Sequence, residues 1–115
     1  MSMPAKKRPS KLELNVLLFE EDKAWVAQCL QFDVAEQGPT PDAAMANWVA
    51  AFAGQAAANR EDGKSPLHGL PQAPSPLWVL LRQRCRRDVR PKDVSVELSR
   101  RVGVPMLLRL AVLAA

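Results

Sequence analysis

Apolar and polar positions alternate along the first third of the chain with a period of two, which is typical of β-strands. The first such run covers residues 12–19 and the second covers residues 24–32. Only the polar cluster at 20–23 separates them, so we predict a hairpin. Residues 33–37 are expected to form a short third strand or a bent continuation of the second, closed by Gly38, since glycine can adopt a positive φ at such a corner.

A helix start follows at once. Thr40 suits the N-cap, Pro41 the first helical position, and Asp42 lies near the positive end of the helix dipole. Apolar side chains then recur at steps of four and predict one buried stripe; they are Ala44, Trp48, Phe52 and Ala56. The helix is predicted to run to about residue 62 and to leave at Gly63.

The remaining pattern is less regular. Residues 63–76 contain four prolines and predict an irregular connector. The continuous apolar run at 77–81 suits a strand that returns to the sheet. Beyond Pro91, the apolar positions fit both a strand and one face of a helix, so the conformation of residues 92–115 stays open.

Charge adds a second level of organisation. The chain has 115 residues, 48% apolar and 24% charged, a balance that fits one globular domain and excludes a multidomain enzyme. Residues 1–10 carry three bases and no acid, residues 11–81 four bases against nine acids, and residues 82–115 nine bases against three acids. The net charge of +4 therefore describes an acidic body with basic ends, and predicts a charged partner for at least one of them.

The two cysteines, Cys29 and Cys85, have neither metal-site spacing nor the density of a secreted disulfide scaffold. This usage favours a reducing compartment. The longest apolar stretch, at 102–115, is shorter than the ~20 residues of a membrane span and contains Pro105 and Arg109. We therefore expect a cytoplasmic protein without a membrane segment.

Residues 25–44 carry VAQCL at 26–30, QG at 37–38 and a threonine-led helix start at 40–44. In this order of strand, short strand and helix start, the segment resembles the HicB-like antitoxin family. The resemblance extends over about residues 11–83. It implies an α+β, truncated ribonuclease-H-like fold: a three-stranded antiparallel sheet, one helix packed across it and a fourth strand (β-β-β-α-β), here followed by a C-terminal extension.

The same resemblance implies a function. Characterised antitoxins of this family bind and mask a small basic ribonuclease, HicA, and many carry a C-terminal DNA-binding segment that represses their own operon. The acidic body of this chain suits the masking of a basic toxin.

The predicted domain has enough carboxylates for a two-metal nuclease in such a frame: Asp22, Asp33, Glu36 and Asp42. Asp22 falls in the predicted turn and Asp42 serves the helix start, and no predicted strand carries a central pair of inward carboxylates. We interpret all four as solvated surface acids.

Neither of the other candidate catalytic residues has a partner. His68 lies in the connector, with no nucleophile or ligand at a recognisable spacing. Cys29 alternates along a strand as a small core residue does. We therefore predict a protein that is not an enzyme and has no catalytic residue, no metal and no cofactor.

The densest basic cluster is a candidate contact with nucleic acid or a protein partner, and consists of Arg82, Arg84, Arg86, Arg87, Arg90 and Lys92. Such a cluster can supply salt-sensitive affinity for phosphates. It is equally typical of a solvated linker, or of a segment that pairs with the acidic body.

Three parts are expected: a basic flexible N-terminus at 1–10, a HicB-like domain at 11–83, and a basic amphipathic extension at 84–115. The favoured function is a non-catalytic protein-binding module, an antitoxin or antitoxin-derived regulatory subunit. A DNA- or RNA-binding regulator and a structural adaptor are the alternatives. Since a small open sheet leaves an edge to be covered, we also expect a homo-oligomer, most simply a dimer.

Overall fold

The structure is a computed structural model that describes residues 11–83 and 85–113. The predicted hairpin is confirmed: β1 (Leu12–Glu21) pairs antiparallel with β2 (Ala24–Cys29). Asp22 and Lys23 form the two-residue turn, and both have positive φ, at 51° and 65°. The backbone twist of such a turn matches the twist of the two paired strands, so β1 and β2 stay hydrogen-bonded up to the turn. β3 (Ala35–Gly38) then adds to β2, also antiparallel.

Helix α1 (Pro41–Glu61) begins and ends as predicted. The Thr40 hydroxyl oxygen accepts a hydrogen bond from the Ala43 N–H at 3.1 Å, and Pro41 occupies the first turn. The apolar stripe is buried against β1 and β2. The Trp48 indole N–H donates to the Val34 carbonyl at 3.1 Å, which ties the helix to the loop after β2.

Gly38 is required for a different reason from the predicted one. Its φ is not positive. A Cβ at this position would lie 2.7 Å from the Ala44 backbone nitrogen and 2.9 Å from the Ala43 carbonyl carbon, both in the first turn of α1. Glycine therefore allows the edge strand and the helix start to approach closely.

The prediction of a strand at residues 77–81 is wrong. This segment belongs to helix α2 (Ser75–Gln83), in which Pro76 lies in the first turn, where a proline is tolerated. Leu77, Trp78 and Leu81 pack on the sheet face opposite to α1. A short, continuous apolar run fits a buried helix as well as a buried strand, which is why its period could not decide.

The predicted C-terminal extension is also corrected. Residues 85–113 form β4 (Cys85–Val89), α3 (Lys92–Val102) and β5 (Met106–Leu113). β5 lies between β1 and β4, parallel to β1 and antiparallel to β4, so the described strands make one mixed sheet in the order β3-β2-β1-β5-β4. The fold is α+β, but its sheet is neither purely antiparallel nor complete without the C-terminal segment.

Two cores hold this sheet. On one face, α1 and α3 bury Trp48, Phe52 and Leu98 against alternate residues of β1 and β5. On the other face, α2 and the connector cover a smaller cluster around Leu17 and Ala111. In residues 11–83 and 85–113, no helix combines the length and the hydropathy of a membrane span.

Candidate functional site

β5 is paired over its full length on one side only. On the β1 side the pairs run from Leu12 with Met106 to Leu18 with Val112. On the other side, β4 is short, and its last pair joins Val89 to Leu110. In the described part of the chain, residues 106–108 therefore pair with no strand on this edge, which we call the open edge of β5.

Two serines of α3 take the place of the missing strand. The Leu108 N–H donates to the Ser95 hydroxyl oxygen at 2.9 Å, and the Met106 N–H donates to the Ser99 hydroxyl oxygen at 2.8 Å. Each hydroxyl also donates one turn back along the helix, Ser95 to the Pro91 carbonyl and Ser99 to the Ser95 carbonyl. The N–H groups of Met106 and Leu108 are thus satisfied, and α3 is fixed to β5 in one register.

Ser95 and Ser99 also line a groove of about 810 Å³ on the surface of the protein. Its apolar lining includes Val96, Val104, Pro105 and Leu107. Val96 is the most exposed large apolar side chain described, at 63%. A volume of this size falls within the range of sites that bind ligands or short segments of a partner.

Four cationic side chains line the same groove: Lys11, Arg90, Lys92 and Arg100. None of the residues that line it is acidic. We call this site the basic groove. The described side chains form one ion pair, between Arg101 and Glu97 at 3.8 Å. These two side chains line a different cavity. The four groove cations therefore make no ion pair with a described carboxylate.

The end of α3 shapes one side of the groove. Gly103 has a φ of 81° and ends the helix, donating its N–H to the Ser99 carbonyl at 2.8 Å. The positive φ favours glycine at this position. The Arg60 side chain of α1 lies against Gly103 and donates to the Arg101 carbonyl at 3.5 Å, so the two helix ends meet here.

The predicted basic cluster is divided by the fold. Arg90 and Lys92 line the basic groove, whereas Arg82 lies in the last turn of α2 and lines a separate cavity with Trp78. Arg86 and Arg87 belong to β4, and Arg84 lies outside the described residues. The structure therefore brings two of the six candidates together and adds Lys11 and Arg100, which the sequence did not single out.

Acidic side chains gather at the opposite end of the molecule. Glu20, Glu21 and Asp22 are exposed at the hairpin tip, and Glu36 of β3 lines the same cavity of about 420 Å³ as Glu21 and Asp22. We call these four residues the acidic tip. Because β1 has ten residues that rise ~3.3 Å each, it separates the acidic tip from Lys11 by about 33 Å.

The other sequence candidates lie apart from both sites. Asp33 accepts a hydrogen bond from the Gln28 side-chain amide at 2.8 Å, and Asp42 lies in the first turn of α1. His68 is exposed, and its carbonyl accepts from the Asn59 side chain. No group of three or more metal-ligating side chains occurs within the part of the chain that the structure describes.

Cys29 is a core residue, as predicted. Its side chain is fully buried, and burial raises the pKa of the thiol from 9.0 to about 11. A buried thiol that stays protonated is a poor nucleophile.

Comparison with known proteins gives no match: no protein-family model matches the chain, and neither a curated protein nor a solved structure does. The resemblance to HicB-like antitoxins therefore stays a prediction.

Ser95→Ala should destabilise the protein by about 1–3 kcal/mol, because it leaves the buried Leu108 N–H without an acceptor. Denaturant unfolding gives the free-energy change, and amide exchange at Leu108 should speed up. Ser65→Ala, at an exposed position, is the control and should stay within about 0.5 kcal/mol of wild type. An equally small effect for Ser95→Ala would contradict the bridging role.

Alkaline pH should destabilise the protein through Cys29. The folded pKa of about 11 exceeds the ordinary thiol pKa of 9.0, so the unfolded thiol ionises first, and the free energy of unfolding falls between these pH values by about 2–3 kcal/mol. The chain has no tyrosine to titrate in this range. Unfolding free energies at pH 8 to 11 should decline less steeply for Cys29→Ala than for wild type; parallel curves would refute the assignment.

Proposed function

We propose that the protein is a non-catalytic protein-binding module, an antitoxin or antitoxin-derived regulatory subunit that masks a basic partner such as a HicA-like ribonuclease. The observation that carries the proposal is the acidic tip. Its carboxylates make no ion pair with any described residue, so their charge is available to a partner.

The acidic tip is also rigid. Asp22 and Lys23 hold a tight two-residue turn, and β1 and β2 stay paired up to Glu21 with Ala24. Carboxylates on a pre-organised turn lose little conformational entropy when a partner binds. Complementary charge then accelerates the encounter and selects against acidic partners.

The edge strand beside the tip is partly protected. The Asn47 side-chain amide donates to the Gln37 carbonyl at 2.9 Å, so one acceptor of β3 is already used within the chain. Such protection limits uncontrolled strand pairing at an edge. The homo-oligomer expected from the open sheet edges stays a prediction, as does the cytoplasmic location.

The alternatives from the sequence also remain predictions. Binding of DNA or RNA through one continuous arginine cluster is weakened as a hypothesis, because Arg82 and Arg90 line different cavities. The adaptor hypothesis relied on a C-terminal docking tail. Since α3 and β5 form part of the core, docking through this segment would have to use its surface.

Charge reversal tests the proposal. Glu20→Lys with Glu21→Lys should weaken binding to a small basic HicA-like ribonuclease by at least about tenfold, because the partner would then meet cations at the tip. Binding is measured by calorimetry, and masking by cleavage of a fluorescent RNA with and without the protein.

The matched control is Glu13→Lys with Glu61→Lys. Both positions are exposed, and this double variant changes the net charge by the same amount. It should bind and mask like wild type. Equal loss in both double variants would show that only net charge matters, and unaltered ribonuclease activity with the wild-type protein would refute masking.

A further inference from the structure

We propose that the basic groove binds an acidic amphipathic helix of a second protein. This surface is distinct from the acidic tip and lies at the other end of β1, so it does not depend on the function proposed above.

The spacing of three side chains on α3 carries the proposal. Lys92, Val96 and Arg100 line the groove at steps of four residues, one above the other along the helix. An exposed apolar side chain thus stands between two cations, and the row spans about 12 Å at 1.5 Å per residue. A partner helix with acidic, apolar and acidic residues at i, i+4 and i+8 presents the complementary row.

Charge complementarity defines the chemistry of this partner. Lys11 and Arg90 add two cations to the groove, and its lining contains no carboxylate to repel an acidic segment. The apolar lining, with Val104, Pro105 and Leu107, offers burial to one or two apolar anchors between the charges. Helix-in-groove recognition uses this combination of anchors and flanking charges.

The groove is less suited to two other occupants, a partner strand and single-stranded nucleic acid. A partner strand would need free backbone groups at the open edge, but the N–H groups of Met106 and Leu108 are already paired with serines. Single-stranded nucleic acid is usually held by aromatic platforms on which bases stack. The lining residues include no aromatic side chain.

A designed helix is the probe for full-length protein. A fluorescein-labelled alanine- and glutamine-based peptide of about 20 residues is long enough to be helical, and carries Glu, Leu and Glu at i, i+4 and i+8. We expect saturable binding by fluorescence anisotropy that weakens as salt is raised, since salt screens exposed charges. Replacing the peptide's Leu by Gln, or its Glu by Lys, should abolish binding.

Variants locate the contact. Val96→Asp and the double variant Lys92→Glu with Arg100→Glu should each weaken binding by about tenfold or more. Val79→Asp on α2 and the double variant Lys64→Glu with Lys23→Glu are exposed controls away from the groove, matched in charge to the two test variants, and should bind like wild type. Circular dichroism checks that each variant is folded. We expect all of them to fold, because the substituted positions are exposed.

The outcomes are separable. No saturable binding of the Glu-Leu-Glu peptide, or equal loss in the Val79 control and the Lys64 and Lys23 double control, overturns the proposal. Tighter binding of a DNA duplex or single-stranded RNA, lost in the groove variants, would instead make the groove a nucleic-acid site. Self-association in analytical ultracentrifugation that disappears in the Val96 variant would make its occupant a second copy.

Discussion

β5 lies beside β1, and this parallel pairing joins the C-terminal elements β4 and α3 to the sheet that β1 begins. The two strands come from opposite ends of the described chain, so bringing them together costs loop-closure entropy that only the finished core repays. Seven register pairs join them, and the Leu12 N–H extends the pairing by donating to the Pro105 carbonyl. Parallel pairing also demands a crossover, which here passes through the helices on both faces.

The same pairing separates the charges of the molecule. The acidic tip stands where β1 ends, and the basic groove stands where β1 and β5 begin. The uneven distribution of charged residues along the sequence thereby becomes a difference in charge between the two ends of β1. The two ends suit partners of opposite charge, and each can act without obstructing the other.

Local chemistry made the first half of the fold predictable. Alternation fixed β1 and β2, and the Thr40–Pro41 signal fixed the start of α1, because turns and caps depend on residues close in sequence. The interpretation of residues 77–81 as a strand failed because all five are apolar, which leaves no period to separate a helix from a strand.

The candidate site could be predicted only in part, because its residues are joined by a long-range contact. Arg90 and Lys92 were visible as part of a basic cluster, but Lys11 reaches the groove only through the pairing of β1 with β5. The bridging serines carried a weaker signal: Ser95 and Ser99 share a helical face with Val102, which has meaning only if residues 92–102 are a helix. That segment fitted a strand equally well from its sequence.

Hydrogen exchange followed by mass spectrometry tests the central claim most directly, which is that the C-terminal strand is part of the sheet. Peptides that cover β5 should be protected to the same degree as those that cover β1, and both should exchange through one global unfolding step. Rapid exchange of residues 106–113 with continued protection of β1 and β2 would contradict the account, because the C-terminal segment would then be a separate extension and the basic groove would not exist as a fixed site.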